Sequence, residues 1–164
     1  EISSLYTLAD VINAGCRDGE LDVRGVSHRG YFASITDFKS YHDANMDLID
    51  YKTATDLFHD NWPIYTRTNN SCPTHYFDTA NVSNSVISNG SMIEGTVENS
   101  IVGRGCTIKK GAVIKNCVVL ADCTIGENVH IENLVVDKHA KITHAKEIIR
   151  PADEPGYIKR NDTL

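Results

Sequence analysis

At 164 residues the chain is long enough to bury a core as one domain or two small ones. It is 41% hydrophobic and 23% charged, as in a soluble globular protein; no apolar run approaches the roughly 20 residues of a membrane span, and no signal peptide is evident, so a cytoplasmic chain without a membrane partner is expected. Sixteen basic against 22 acidic residues, a formal charge of −6, argue against a nucleic-acid partner.

Residues 3 to 14 are predicted to form a helix, with Ser3 or Ser4 as cap, Leu5, Leu8, Ala9 and Ile12 at helical spacing, and Gly15 ending it. Leu21 to Val26 and Gly30 to Ile35 carry strand-like residues around the basic turn His28-Arg29-Gly30. Thr36 is read as the cap of a second helix ending near Tyr51, with a short helical piece over Thr53 to Phe58. Residues 61–80 hold Pro63, Pro73 and a run of polar residues and read as a linker. The tail, 151–164, is polar and contains two prolines; it either caps the preceding domain or hangs free. The first residue is Glu, which reads as a piece of something longer.

The stretch 81–150 is a repeat. Four times an Asn opens an apolar pair, at Asn84, Asn99, Asn116 and Asn133, in steps of 15, 17 and 17 residues. Superposed units give one column of Ile87, Val102, Val119 and Val136, and another of Ile93, Ile108, Ile125 and Ile142. A third holds Ile114, Ile131 and Ile148, with Val97 standing in two places early. Ser91, Cys106, Cys123 and Ala140 share a small-residue column, preceded by Gly90, Gly105, Asp122 and His139. An aliphatic residue about every sixth position, with Gly, Asn or Asp between, suits three short strands per turn joined by tight corners at positive φ. Each turn would insert about three aliphatic side chains, each contributing roughly 1.5–3 kcal/mol when buried, stacked about 4.8 Å from the next turn. The reading is a mainly β chain with a triangular solenoid of about four coils; a sandwich of short strands is the alternative.

The five cysteines (Cys16, Cys72, Cys106, Cys117, Cys123) include three inside the repeat, where free buried thiols are expected; no Cys-x-x-Cys pair occurs, and no metal or cofactor site is read.

Two stretches carry a family resemblance. Gly30-Tyr-Phe-Ala-Ser-Ile-Thr-Asp-Phe-Lys-Ser-Tyr-His-Asp-Ala-Asn-Met-Asp-Leu-Ile resembles the end of the catalytic domain of bacterial glucose-1-phosphate adenylyltransferases (ADP-glucose pyrophosphorylases). Trp62-Pro-Ile-Tyr-Thr and Ile93-Glu-Gly-Thr-Val-Glu-Asn-Ser-Ile-Val also look like that family. The resemblance implies that residues 1–60 are a small α/β remnant of a nucleotidyltransferase-like domain and that the solenoid is a left-handed parallel β-helix of hexapeptide type. Two departures matter. The family's Gly-rich nucleotide loop is absent from these 164 residues, leaving nothing to cradle a triphosphate. Where the family's Trp-Arg-Asp-Val places an Asp for Mg²⁺, the chain has Phe32-Ala33-Ser34-Ile35, and Ser34 carries no charge for a metal. The pattern resembles the regulatory GlgD-type subunit of glycogen biosynthesis, which assembles with a catalytic paralogue. Implied partners are that catalytic subunit, a further copy of the chain, and a phosphate or sugar-phosphate effector.

Two basic groups are candidates for the effector: Arg104, Lys109 and Lys110 on the second coil, and Arg150, Lys159 and Arg160 near the tail. His130, His139 and His144 raise a second function class, the hexapeptide-repeat acyltransferase with a histidine base, against the plainer reading of solvated histidines. A purely structural oligomerisation module is the third.

Overall fold

The computed structural model describes residues 7–59, 61–66 and 68–164, in two compact units, Glu1–Gly30 and Tyr31–Leu164. Among the described residues no helix is long and apolar enough to cross a membrane.

The first unit contains helix α1 (Leu8–Arg17). Its cap is Thr7, whose hydroxyl accepts the Asp10 amide while the Asp10 carboxylate accepts the Thr7 amide, a reciprocal box that satisfies two free N–H groups. The expected caps Ser3 and Ser4, with Leu5, lie outside the described residues. Gly15 does not end the helix. That role falls to Gly19 at φ 70°, where the Glu20 amide bonds the Gly15 carbonyl and the Gly19 amide bonds that of Cys16. Leu21 to Val26 and Gly30 to Ile35, expected as strands, form none. β propensity is expressed against a neighbouring strand, and these segments have none beside them among the described residues.

In the second unit α2 (Phe38–Met46) is capped by Asp37 rather than by Thr36, because Ser40 returns the bond that the Asp37 carboxylate accepts from its amide. The helix expected to run to Tyr51 stops early: a short 3₁₀ turn, Asp47–Ile49, leads to Asp50, which caps a new helix, α3 (Tyr51–Leu57), through the Thr53 amide.

The solenoid begins at β1 (His75–Tyr76), inside the stretch read as linker. Its rungs are β1–β2 (Asn81–Ser83)–β3 (Val86–Ile87); β4 (Met92–Ile93)–β5 (Thr96–Glu98)–β6 (Ile101–Val102); β7 (Thr107–Ile108)–β8 (Val113–Lys115)–β9 (Val118–Val119); and β10 (Thr124–Ile125)–β11 (His130–Glu132)–β12 (Leu134–Val136). A fifth rung adds β13 (Lys141–Ile142), β14 (Glu147–Ile149) and β15 (Gly156–Ile158). Three parallel five-stranded sheets result, β1-β4-β7-β10-β13, β2-β5-β8-β11-β14 and β3-β6-β9-β12-β15.

Register follows the columns. Ile93, Ile108, Ile125 and Ile142 stack on one wall. Val97, Ile114, Ile131 and Ile148 stack on the second, so Val97 does stand in the third column. Its coil is two residues shorter at the corner, where Gly95 lies so close to the next rung that a Cβ would come within 2.6 Å of the Ala112 carbonyl oxygen. Positive φ falls at Gly90, Gly105, Asp122 and His139 on one corner and at Asn84, Asn99, Asn116 and Asn133 on another. The asparagines do more than tolerate this geometry: Asn84 Nδ2 donates to Asn99 Oδ1 at 2.7 Å, and Asn99 Nδ2 to Asn116 Oδ1 at 2.8 Å. Asn99→Ala is therefore expected to cost about 1–3 kcal/mol in urea unfolding, from backbone strain and two lost amide contacts. Asn99→Gly relieves the strain and should cost less.

The tail caps the stack. Ile158 and Leu164 pack on the core, the Leu164 carbonyl accepts the Thr143 and His144 amides, and Leu164 N–H donates to Lys141 O. On the third sheet the outward residues Val118 and Val135 are also buried. Helix α2 lies over this face: the buried His42 bridges from α2 to the Asn116 carbonyl (Nε2 to O 3.0 Å), and Phe38 meets Tyr157 edge to face with centroids 5.8 Å apart. This docking places residues 31–59 in one unit with the solenoid.

Candidate functional site

A solenoid turns sequence columns into spatial neighbours, and its corners bring together charges that are far apart along the chain. One step before the Gly90 column lie Asn89, Arg104, Ala121 and Lys138, and the corner bonds Gly105 N–H to Asn89 O, Asp122 N–H to Arg104 O and His139 N–H to Ala121 O tie that edge together. The next turn brings Arg160. Arg104, Lys138 and Arg160 thus share a cleft of about 430 Å³ with Asp122, His139 and the side of Asn69. Asp122 and His139 face one another, with Oδ2 and Nδ1 3.7 Å apart.

Beneath it, Asp137 is held by three neighbours. Tyr157 donates its hydroxyl to Oδ2 at 2.7 Å, and Oδ1 accepts the Lys138 amide at 2.6 Å. The Tyr157 bond, then the amide and the nearby charges of Arg160 and Lys138, keep this carboxyl below the usual carboxylate range. A depressed folded-state pKa gives stability that is present above the unfolded value and fades as pH falls through the folded one, so the Asp137–Tyr157 contact weakens only in acid.

The two basic groups read from the sequence are redistributed. Arg104 and Arg160, one from each, line the same cleft. Lys109 and Lys110 occupy the corner between β7 and β8, and Lys109 pairs with Glu94 at 3.5 Å. Arg150 precedes the tail strand, with its carbonyl accepting from Asn133 Nδ2; Lys159 lies on the tail and is exposed. Linear reading overlooked Lys138, although the 17-residue step from Ala121 marks it.

Ser34 is exposed, and the hollow beside it, about 410 Å³, is lined by Phe32, Ile35, Leu48 and Leu57 among others, with no carboxylate in its lining among the described residues. Asp47, the nearby acid, accepts the Tyr31 hydroxyl at 3.0 Å. These residues do not fit a magnesium ion, which requires several hard oxygen donors.

His130 lies on the outer face of the second sheet beside Glu132 and Glu147, at 3.8 and 3.5 Å. His139 is at a corner, and His144 is exposed. Cys106, Cys117 and Cys123 are buried and unpaired, whereas Cys16 and Cys72 are exposed. Burial pushes the Cys117 thiol up to about 12, and the neighbouring Cys123 thiol together with burial raises Cys106, so both stay protonated and inert at neutral pH.

Residues 73–154 match the family described as GlmU-like, C-terminal hexapeptide. The chain is 42% identical over 86 residues to glucose-1-phosphate adenylyltransferase of Geobacillus stearothermophilus, covering 52% of this chain and 22% of the relative. It is 38% identical over 133 residues to the glycogen biosynthesis protein GlgD of Bacillus subtilis (strain 168), covering 81% and 39%. It is 36% identical over 122 residues to glucose-1-phosphate adenylyltransferase of Bacillus mycoides (strain KBAB4), covering 74% and 32%. The chain thus spans between about a fifth and two fifths of the length of these relatives. With three parallel sheets stacked rung on rung and half its length matched by the hexapeptide model, the chain belongs to the GlmU-like C-terminal hexapeptide family.

Proposed function

We propose that this chain is the regulatory and assembly portion of an ADP-glucose pyrophosphorylase subunit of GlgD type in glycogen biosynthesis. It acts through subunit contacts and through an anionic effector, and carries out no nucleotidyl transfer itself. The observation that carries the reading is the pairing of 38% identity to GlgD over 81% of this chain with an uncharged Ser34 where the catalytic family places a metal-binding Asp.

The cleft supports the effector part. Among the described residues, three cations from the second coil, the fourth coil and the tail converge there, and only Asp122 of the lining opposes them with a carboxylate. Phosphate oxygens take charge-assisted hydrogen bonds from guanidinium and ammonium groups, each stronger than a neutral bond. Both Lys138 and Arg160 also act on Asp137, which holds Tyr157, which in turn packs on Phe38 of α2. An anion in the cleft therefore bears on the contact between solenoid and helix.

The catalytic part has a direct test. Incubated alone with ATP, Mg²⁺ and glucose 1-phosphate, the purified chain is expected to release no pyrophosphate above background. Turnover that scales with chain concentration and survives repurification would overturn the reading.

A further inference from the structure

The tail is tied to the solenoid by backbone bonds in both directions. Gly156 N–H donates to Asn133 O, Asn161 N–H to Lys138 O and Leu164 N–H to Lys141 O, while the Asp137, Lys141 and Thr143 amides donate to the carbonyls of Ile158, Asp162 and Leu164. It is nonetheless a terminal element held on one side. β15 is the edge of its sheet, Tyr157 is half exposed, and the bend before it, 151–154, is exposed. Segments built this way open locally at a small fraction of the cost of global unfolding.

The tail also completes the cleft. Among the described residues the solenoid supplies Arg104 and Lys138 against the Asp122 carboxylate, and the third cation, Arg160, arrives only with the tail. Docking therefore gathers like charges, and Asp137 offsets the repulsion only in part, since Lys138 and Arg160 draw on that one carboxylate. Tyr157, three residues before Arg160, donates to the same Asp137 and meets Phe38 of α2. We propose that residues 156–164 form a strap fastened by the anion: inorganic phosphate or a phosphate ester in the cleft relieves the repulsion among the three cations and holds the tail on the solenoid. Tyr157 is carried with it against α2. The inference rests on the effector reading above and adds to it the element that responds. A ligand that binds only the docked tail lowers the undocked fraction by 1 + [L]/Kd, about a hundredfold at a hundred times Kd. Arg104 and Lys138 keep some affinity when the tail is undocked, so a tenfold effect or more is expected.

The test is hydrogen exchange of the full chain with and without inorganic phosphate, with phosphate binding followed in parallel by calorimetric titration. Without phosphate, the Gly156, Asn161 and Leu164 amides, and the Asp137 and Lys141 amides that bond to the tail, should exchange faster than the Thr107 amide of the middle rung, which bonds to Cys123 O. At about a hundred times Kd the tail-linked amides should slow at least about tenfold, and sodium chloride at matched ionic strength should not reproduce the effect. Arg160→Gln removes the tail's cation from an exposed position and should abolish the slowing. Phosphate that binds yet leaves the tail-linked amides unchanged, or slows them no more than chloride does, would overturn this proposal and leave the effector reading standing. So would tail-linked amides already as slow as Thr107 without phosphate, or a slowing that persists undiminished in Arg160→Gln. No phosphate binding at all would overturn both readings.

Discussion

Ile131→Ala is expected to lower the unfolding free energy by about 2–5 kcal/mol, near the top of that range. Ile131 is fully buried in the fourth rung and stacks between Ile114 and Ile148. Truncation removes its own transfer free energy and leaves a cavity. The cavity cannot collapse readily, because ladder bonds above and below fix the spacing of the rungs at about 4.8 Å. Ile148→Ala, in the partly buried last rung, should cost clearly less. Chemical denaturation monitored by circular dichroism measures both. A loss below about 1 kcal/mol for Ile131→Ala would mean that the axial stack is not what holds the solenoid together.

The second large effect concerns the cleft. Lys138→Glu combined with Arg160→Glu should weaken inorganic phosphate binding, read by calorimetric titration, at least about tenfold, because two favourable charges become repulsive. Lys109→Ala with Lys110→Ala tests the other basic corner. If that pair leaves phosphate affinity unchanged while the cleft pair abolishes it, the effector contact lies with Arg104, Lys138 and Arg160. If the cleft pair binds phosphate as the unaltered chain does, the cleft is not the site. Raising the salt concentration should weaken binding in the unaltered chain, since these side chains remain in contact with solvent.

Much of this architecture is written in the repeat. The Ile93, Ile108, Ile125 and Ile142 column and the corner asparagines become a wall and an amide ladder because a solenoid converts period into adjacency. The small column Ser91, Cys106, Cys123 and Ala140 is buried throughout, which explains its size limit. Other features were present but carried a different message. Val118-Val119 and Leu134-Val135-Val136 abandon the alternation of a half-exposed strand, the mark of a sheet covered on both sides, here by α2. The charge cleft appears only when columns are read instead of neighbours along the chain, because Arg104 and Lys138 are two rungs apart and Arg160 comes from the tail.

Of the fifth rung, β13 and β14 carry Ile142 and Ile148 of the columns, and only β15 escaped the periodicity, for a covalent reason. Val136 pairs with Ile158, a step of 22 residues where the repeat takes 17, because the bend from Pro151 to Pro155 is inserted between β14 and β15. The segments 21–26 and 30–35 misled in the opposite sense: their residues favour strands, but strand formation depends on a partner that sequence composition does not reveal. Handedness of the solenoid likewise comes from family resemblance, since a period has no hand.

Regulation by contact predicts an effect on another subunit that no assay of the chain alone would show. The most direct measurement adds the purified chain in increasing ratio to the catalytic subunit of a bacterial glucose-1-phosphate adenylyltransferase and follows ADP-glucose formation with and without inorganic phosphate. The expected result is a saturable change in rate whose size depends on phosphate and is lost in the Lys138→Glu, Arg160→Glu variant. A rate identical at every ratio, with phosphate and without, would contradict the account.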